Sequence, residues 1–207
     1  MPQPLDLAVV GNGTIGALVA PNSTVRWMCW PRLDGDPVFC ALLDGEAPAH
    51  GFMDVQLAGF ARATQRYRRN TAIVETGLDS DDGARVLVTD FAPRFTRFGR
   101  GFRPPLLVRR IEPRAGRPRI AIRIRPRFAW GAEAPSMRSG SNHLRWIGGD
   151  EALRITTDLP VGFIAAETRF VLDRPANLIL SLDEPLAEAP ARVAREFEEE
   201  TTAYWLE

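Results

Sequence analysis

At 207 residues the chain is long enough for one large all-β domain, or two small ones, with a real hydrophobic core. Its formal net charge is zero, so charge balance gives no nucleic-acid footprint and no patch for an anionic membrane. All 26 basic residues are arginine, which we read as genome composition bias. No stretch approaches the about 20 apolar residues of a membrane span, and the N-terminus lacks a charged-then-apolar leader, so a cytoplasmic protein is expected.

In chain order, Leu7–Val10 and Thr14–Ala20 are apolar runs split by Gly11-Asn12-Gly13, a hairpin signal. The glycines around Asn12 have the wrong spacing for a dinucleotide-binding turn, and no helix follows them. Val25–Trp30 is a strand in which Val25, Trp27 and Cys29 alternate with Arg26 and Met28, and Pro31 stops it because proline has no N–H for a ladder. Beyond it, Arg32-Leu33-Asp34-Gly35-Asp36-Pro37 makes a rigid polar loop pinned between Trp30 and Phe39.

Phe39–Leu43 is a short apolar run, Gly51–Leu57 reads as a strand, and Arg62–Arg69 is a polar stretch leading to a strand over Ala72–Leu78. The acidic turn Asp79–Gly83 returns it as Ala84–Phe91, a hairpin. Arg94–Pro105 is basic and aperiodic, so an exposed loop is expected. Leu106–Glu112 and Arg119–Arg125 are expected to pair, the second with Ile120, Ile122 and Ile124 on one face and arginines on the other. Strands over His143–Ile147, Leu153–Thr157, Phe163–Leu172 and Asn177–Leu182 follow, with a turn at Gly148–Glu151. Turn signals at spacings of about 8–12 residues argue for an all-β antiparallel sandwich over a βαβ fold. Only Ala187–Glu207 is helical in pattern, with Val193, Phe197, Ala203 and Leu206 on one face and Glu198-Glu199-Glu200 on another.

Several of these segments carry a resemblance. Gly11-Asn12-Gly13, Ala17-Leu18-Val19, Trp27, Cys29, Pro31, Arg32, Asp34, Phe39 and Leu42-Leu43-Asp44 fall in register with the N-terminal signature of bacterial and archaeal glycoside hydrolase family 15, the glucoamylase and trehalase group. Tyr67, Asn70-Thr71, Glu75-Thr76, Thr89-Asp90-Phe91-Ala92-Pro93 and Pro126-Arg127-Phe128-Ala129-Trp130-Gly131 continue it. Asn22-Ser23, Arg26, Ala129 and Trp130 depart from its pattern. The resemblance implies an N-terminal β-sandwich, residues 1–186, and a linker helix, residues 187–207, whose Thr201, Tyr204 and Trp205 match a helix that leads into an (α/α)6 barrel. It also implies an inverting mechanism, in which one carboxylic acid protonates the leaving oxygen and a second carboxylate activates water. In the family both lie on the barrel, so no catalytic residue is assigned among these 207.

The chain's own candidates for such a pair are Asp34 with Asp36, Asp79 with Asp81 and Asp82, and Asp150 with Glu151. Carboxylates so close together in turns are expected to be solvated, with ordinary pKa values. Arg32 and Asp34 pair with each other or cap the loop's backbone in the plainest reading; in the functional one the loop projects towards the barrel, Trp30 offers a face to a sugar, and Arg32 and Asp34 bond its hydroxyls. Trp130 and Trp146 either stack sugars or belong to core and rim. Cys29 and Cys40 are expected to be buried free thiols, and His50 and His143 have too few neighbouring ligands for a metal, so no metal and no cofactor is expected.

The expected function is that of a non-catalytic domain of a glucoamylase- or trehalase-like hydrolase. Its partner is the barrel of the same protein, and α-glucan or trehalose is the parent's substrate. A free-standing carbohydrate-binding sandwich and a homo-oligomerising structural module are the alternatives.

Overall fold

A computed structural model describes residues 6–45, 48–149 and 151–207. The strands in order are β1 (Ala8–Gly11), β2 (Gly16–Val19), β3 (Val25–Trp30), β4 (Asp36–Phe39), β5 (Phe52–Leu57), β6 (Phe60–Tyr67), β7 (Val74–Ser80), β8 (Arg85–Phe91), β9 (Phe95–Arg97), β10 (Arg100–Phe102), β11 (Leu107–Ala115) and β12 (Arg119–Arg125). They continue with β13 (Ser136–Ser139), β14 (His143–Gly148) and β15 (Glu151–Thr157), the short helix α1 (Val161–Ala165), β16 (Phe170–Val171), β17 (Ala176–Ser181) and the closing helix α2 (Pro190–Leu206). Pairing is antiparallel throughout. One sheet runs β1-β2-β3-β5-β12-β16 with β4 beside β3, and the other runs β13-β14-β15-β17-β11-β8-β7-β6.

The sheets face each other over a core to which Val10, Ile15, Met28, Trp30, Met53 and Ile122 contribute from one side and Leu78, Val88, Leu107, Ile111, Leu153 and Leu178 from the other. This is the all-β sandwich expected from the strand spacing, and its pleat is read most directly on β11. Leu107, Arg109 and Ile111 point inward, whereas Val108 and Arg110 point to the opposite face, where α2 lies.

Inside the sandwich, Arg109 is wholly buried and donates through Nε and Nη2 to both oxygens of buried Asp90, its cross-strand partner on β8, at 2.7 and 2.9 Å. Its Nη2 also donates to the carbonyl of Ser23, in the turn between β2 and β3, at 2.6 Å. A charged pair removed from water survives only when each charge is matched in geometry, and here the match ties the two sheets together.

The outer face of the larger sheet is sealed by α2. Pro190, Val193, Ala194, Glu198 and Thr201 are its buried positions, at the spacing of one helical face, and Val193, Ala194 and Phe197 pack on Ile73, Phe91, Leu106, Val108 and Ile179. Glu198 is therefore on the packed face and not the solvent face. Arg68 on one side (2.6 Å) and Arg110 on the other both bond it, within a run of ion pairs Arg66–Glu75–Arg68–Glu198–Arg110–Glu112–Arg114. Ala203 and Leu206, expected on the apolar face, are exposed.

Other expectations are corrected by the topology. Leu106–Glu112 and Arg119–Arg125 do not pair: β11 lies between β8 and β17, while β12 lies between β5 and β16 in the other sheet, so the Pro113–Pro118 connection crosses the sandwich. Residues 163–172 are not one strand but the helix α1 followed by the two-residue β16. The polar stretch 62–69 largely forms β6, an edge strand with one neighbour, where exposed polar side chains suit the solvent. The expected loop 94–105 holds the β9–β10 hairpin, and its Phe95 is buried.

Replacing Arg109 by Met leaves the Asp90 carboxylate buried without its partner, and we expect a loss of about 3–5 kcal/mol in urea unfolding. The double variant Asp90→Leu with Arg109→Met should regain much of that loss, because neither charge then remains to be desolvated.

Candidate functional site

The loop after β3 is shaped by an irregularity in that strand. Ala17 and Leu18 face Met28 and Trp27, but Val19 faces Val25, so Arg26 is an extra residue and the strand bulges there. The bulge reverses the alternation read from the sequence: Val25, Met28 and Trp30 face the core, and Trp27 and Cys29 face outward. Trp30 consequently offers no face to a ligand. Its ring is 0% exposed, and its Nε1 donates to the Ala152 carbonyl of β15 at 3.3 Å, a tie from one sheet to the other.

Past the cis Trp30–Pro31 bond, Arg32 and Asp34 pair with each other in the open, each about 72% exposed. Arg32 donates through Nε and Nη2 to the two Asp34 oxygens at 2.9 and 3.0 Å. That pairing holds the Asp34 carboxyl below its usual range and the guanidinium above its own. Leu33 lies over Gly16 of β2, where a Cβ would come within 2.9 Å of the Leu33 Cδ2. Gly35 is tighter still, since a Cβ there would meet the Trp30 carbonyl oxygen at 2.4 Å. The loop folds back on itself, and only glycine fits its closing turn.

The next carboxylate, Asp36, has a structural partner. Its Oδ1 accepts the backbone N–H of Trp130 at 2.7 Å. Ala129, Trp130 and Gly131 all have positive φ (49, 56 and 93°), a conformation that costs side-chain-bearing residues energy and is held here by surrounding bonds. The turn presents Trp130 at 62% exposure, 6.4 Å from the ring of outward-facing Trp27. Of the two further candidate tryptophans, Trp130 thus belongs to the rim and Trp146, 5% exposed, to the core.

Glu151 stands close enough to Asp36 to feel its charge. Burial, with Asp36 as the lesser cause, pushes the Glu151 carboxyl above its ordinary value, and its Oε2 is sealed from solvent without a hydrogen bond. Asp150 lies outside the described residues. The expectation of ordinary pKa values therefore fails in both directions. Asp79 is held low by Arg85 and then Arg62, and Asp82 by the Ser80 hydroxyl and then the Ala84 N–H. Cys29 is only half-buried, unlike Cys40, and burial raises both thiols.

A separate hollow of about 320 Å³ is lined by Arg26, Phe52, Asp54 and Arg123 among others. Arg123 takes both Asp54 oxygens, so that carboxylate is committed to an ion pair. Among the described residues no group of three or more His, Cys, Asp and Glu side chains could hold a metal ion. No helix among them is long and apolar enough to cross a membrane.

Two antiparallel sheets closed by a terminal helix, with a proline-bounded polar loop at one end of a bulged strand, define a β-sandwich domain. The chain belongs to the trehalase-like, N-terminal family, whose model matches residues 2–161. Over 152 residues it is 22% identical to the trehalase of Thermoplasma volcanium, a match that covers 73% of this chain and 24% of that protein. The chain thus spans about a quarter of that relative's length.

The raised Glu151 carboxyl has a defined sign. Its stabilising protonation is fully present below the ordinary glutamate range and is lost as pH rises through the raised value. The stability of Glu151→Gln relative to the parent should therefore grow with pH from the ordinary glutamate range upward. Denaturant midpoints measured across that window check this. The acid limb should persist in the variant, because Asp34, Asp79 and Asp82 are held low and lose their bonds only as pH falls.

Proposed function

We propose that this chain serves as the non-catalytic N-terminal domain of a glucoamylase- or trehalase-like inverting α-glycoside hydrolase. In this reading residues 1–186 form the sandwich and 187–207 the helix that leads to an (α/α)6 barrel. The carrying observation is the trehalase match, which uses most of this chain and leaves some three-quarters of the relative unmatched. The carboxylates of the loop support the division of labour. Asp34 is occupied by Arg32 and Asp36 by a backbone N–H, and neither lines the hollow over Phe52. Inverting hydrolysis needs a protonated acid and a base some 6.5–9.5 Å apart across a bound sugar.

The domain docks on the barrel with the outer face of β2 and β3, where exposed Trp130 packs near half-buried Trp27 and Leu33 is exposed over Gly16. Arg32 and Asp34 stand beside it at the edge of the barrel's active-site mouth, and bond sugar hydroxyls there. Trp130 takes the stacking role that buried Trp30 does not fill. Substrate is trehalose or an α-glucan, and the setting is the cytoplasm.

The chain joined to its native continuation should release glucose from trehalose or maltooligosaccharides, while the 207-residue chain alone releases none. Glucose release by the short chain would refute the assignment. In the longer protein the pair Arg32→Ala and Asp34→Ala should raise KM several-fold and leave the melting temperature nearly unchanged, since water screens an exposed ion pair and leaves it little weight in stability.

A further inference from the structure

The β9–β10 hairpin takes no part in the loop just described, and its composition runs against its position. Its two-residue turn is Phe98-Gly99, with φ of 51 and 71°. Such a turn favours Asn-Gly, because asparagine tolerates the left-handed backbone and a bulky side chain does not. Phenylalanine stands there with its ring 93% exposed, so backbone and solvation both disfavour it.

The base of the hairpin is anchored. Buried Asn12 donates through Nδ2 to the carbonyls of Pro93 (3.0 Å) and Pro104 (2.8 Å), which bracket the hairpin. Phe95 and Phe102 of its strands join Phe197 of α2 in a three-ring cluster with centroids 4.7–5.6 Å apart.

Charge is divided sharply across this corner. Arg97, Arg100 and Arg103 are exposed, and none has a carboxylate partner among the described residues. Immediately beside them Glu196, Glu199 and Glu200 of α2, with Phe95, Thr96, Arg97 and Phe197, line a hollow of about 200 Å³. Glu199 and Glu200 are exposed and have no arginine partner among the described residues.

We propose that this corner is a two-fold self-association surface, in which Phe98 of one copy enters the hollow of a second copy and adds a fourth ring to its aromatic cluster. Arg97 and Arg100 of each copy then face Glu199 and Glu200 of the other. A basic patch beside an acidic one is complementary to its own image under a two-fold axis, which is the requirement of an isologous dimer. The same glutamates disfavour the alternatives, since the phosphates of a bilayer or a nucleic acid that met the arginines would also meet Glu199 and Glu200. A net charge of zero adds no overall repulsion between copies. This inference is independent of the glycosidase reading.

Sedimentation velocity of the 207-residue chain over a wide concentration range, at low and high salt, tests it. The chain should dimerise, more weakly at high salt. Phe98→Asn should weaken association by about tenfold or more, as removal of a central aromatic anchor does. The same variant should keep or raise the melting temperature, because asparagine suits the turn, and that separates lost contact from lost folding. Arg97→Glu and Glu199→Arg should each weaken the dimer, and the double variant should restore it. A chain that stays monomeric throughout, or a dimer indifferent to Phe98→Asn, overturns the proposal. So does a monomer that binds phosphatidylserine vesicles or duplex DNA through these arginines.

Discussion

A single guanidinium, that of Arg109, sets the terms for the sandwich. It occupies an inward position on a central strand, where the pleat calls for an aliphatic side chain, and it is tolerable there only because Asp90 takes it bidentately and the Ser23 carbonyl takes a further N–H. The pair belongs to adjacent strands of the larger sheet, and the carbonyl belongs to a turn of the smaller one. Misregister of β8 against β11, or displacement of the β2–β3 turn, would strand a buried charge, a far larger cost than a lost van der Waals contact. The arrangement thus selects one register and one seating of the sheets in a way that an apolar core, tolerant of sliding, does not.

The outer face repeats the device with helix α2. Glu198, between Arg68 and Arg110, fixes where along the sheet the helix rests. Farther along, the Thr201 hydroxyl accepts the Arg94 N–H, and the Tyr204 hydroxyl accepts Arg94 Nε, while Arg94 Nη1 donates to the Asn12 carbonyl. Thr201, Tyr204 and Trp205 thus gather around one arginine of the sandwich, with both rings within 6 Å of its guanidinium. Their placement is explained within this chain, whatever they meet beyond it.

Much of the fold was legible because its signals are local. Glycine-rich turns and alternating Ile120, Ile122 and Ile124 announce strands whatever their neighbours are. Pairing was not legible: nothing between Glu112 and Arg119 says that the chain changes sheets there. A bulge is equally silent, since Arg26 looks like any outward residue until the register of β2 shows it to be supernumerary. That one residue turned Trp30 from a candidate sugar platform into a core side chain. The exposed Arg32–Asp34 pair follows from sequence spacing alone, whereas the neighbourhood of Asp36, Trp130 and Glu151 joins segments about a hundred residues apart. The faces of α2 were misjudged for a related reason: a glutamate counts as a solvent residue by type, and only Arg68 and Arg110 make its burial affordable.

The bonds around Arg94 and Asn12 join the first hairpin of the chain, the roots of the β9–β10 hairpin and the end of the last helix into one network. Contacts between residues so distant in sequence cannot form until most of the chain has collapsed, which places this corner late in folding. By the same token its members lose protection together: an opening that frees α2 from Arg94 also loosens the Asn12 turn. In hydrogen-exchange terms the first hairpin and the last helix then behave as one cooperative unit, not as two that open independently.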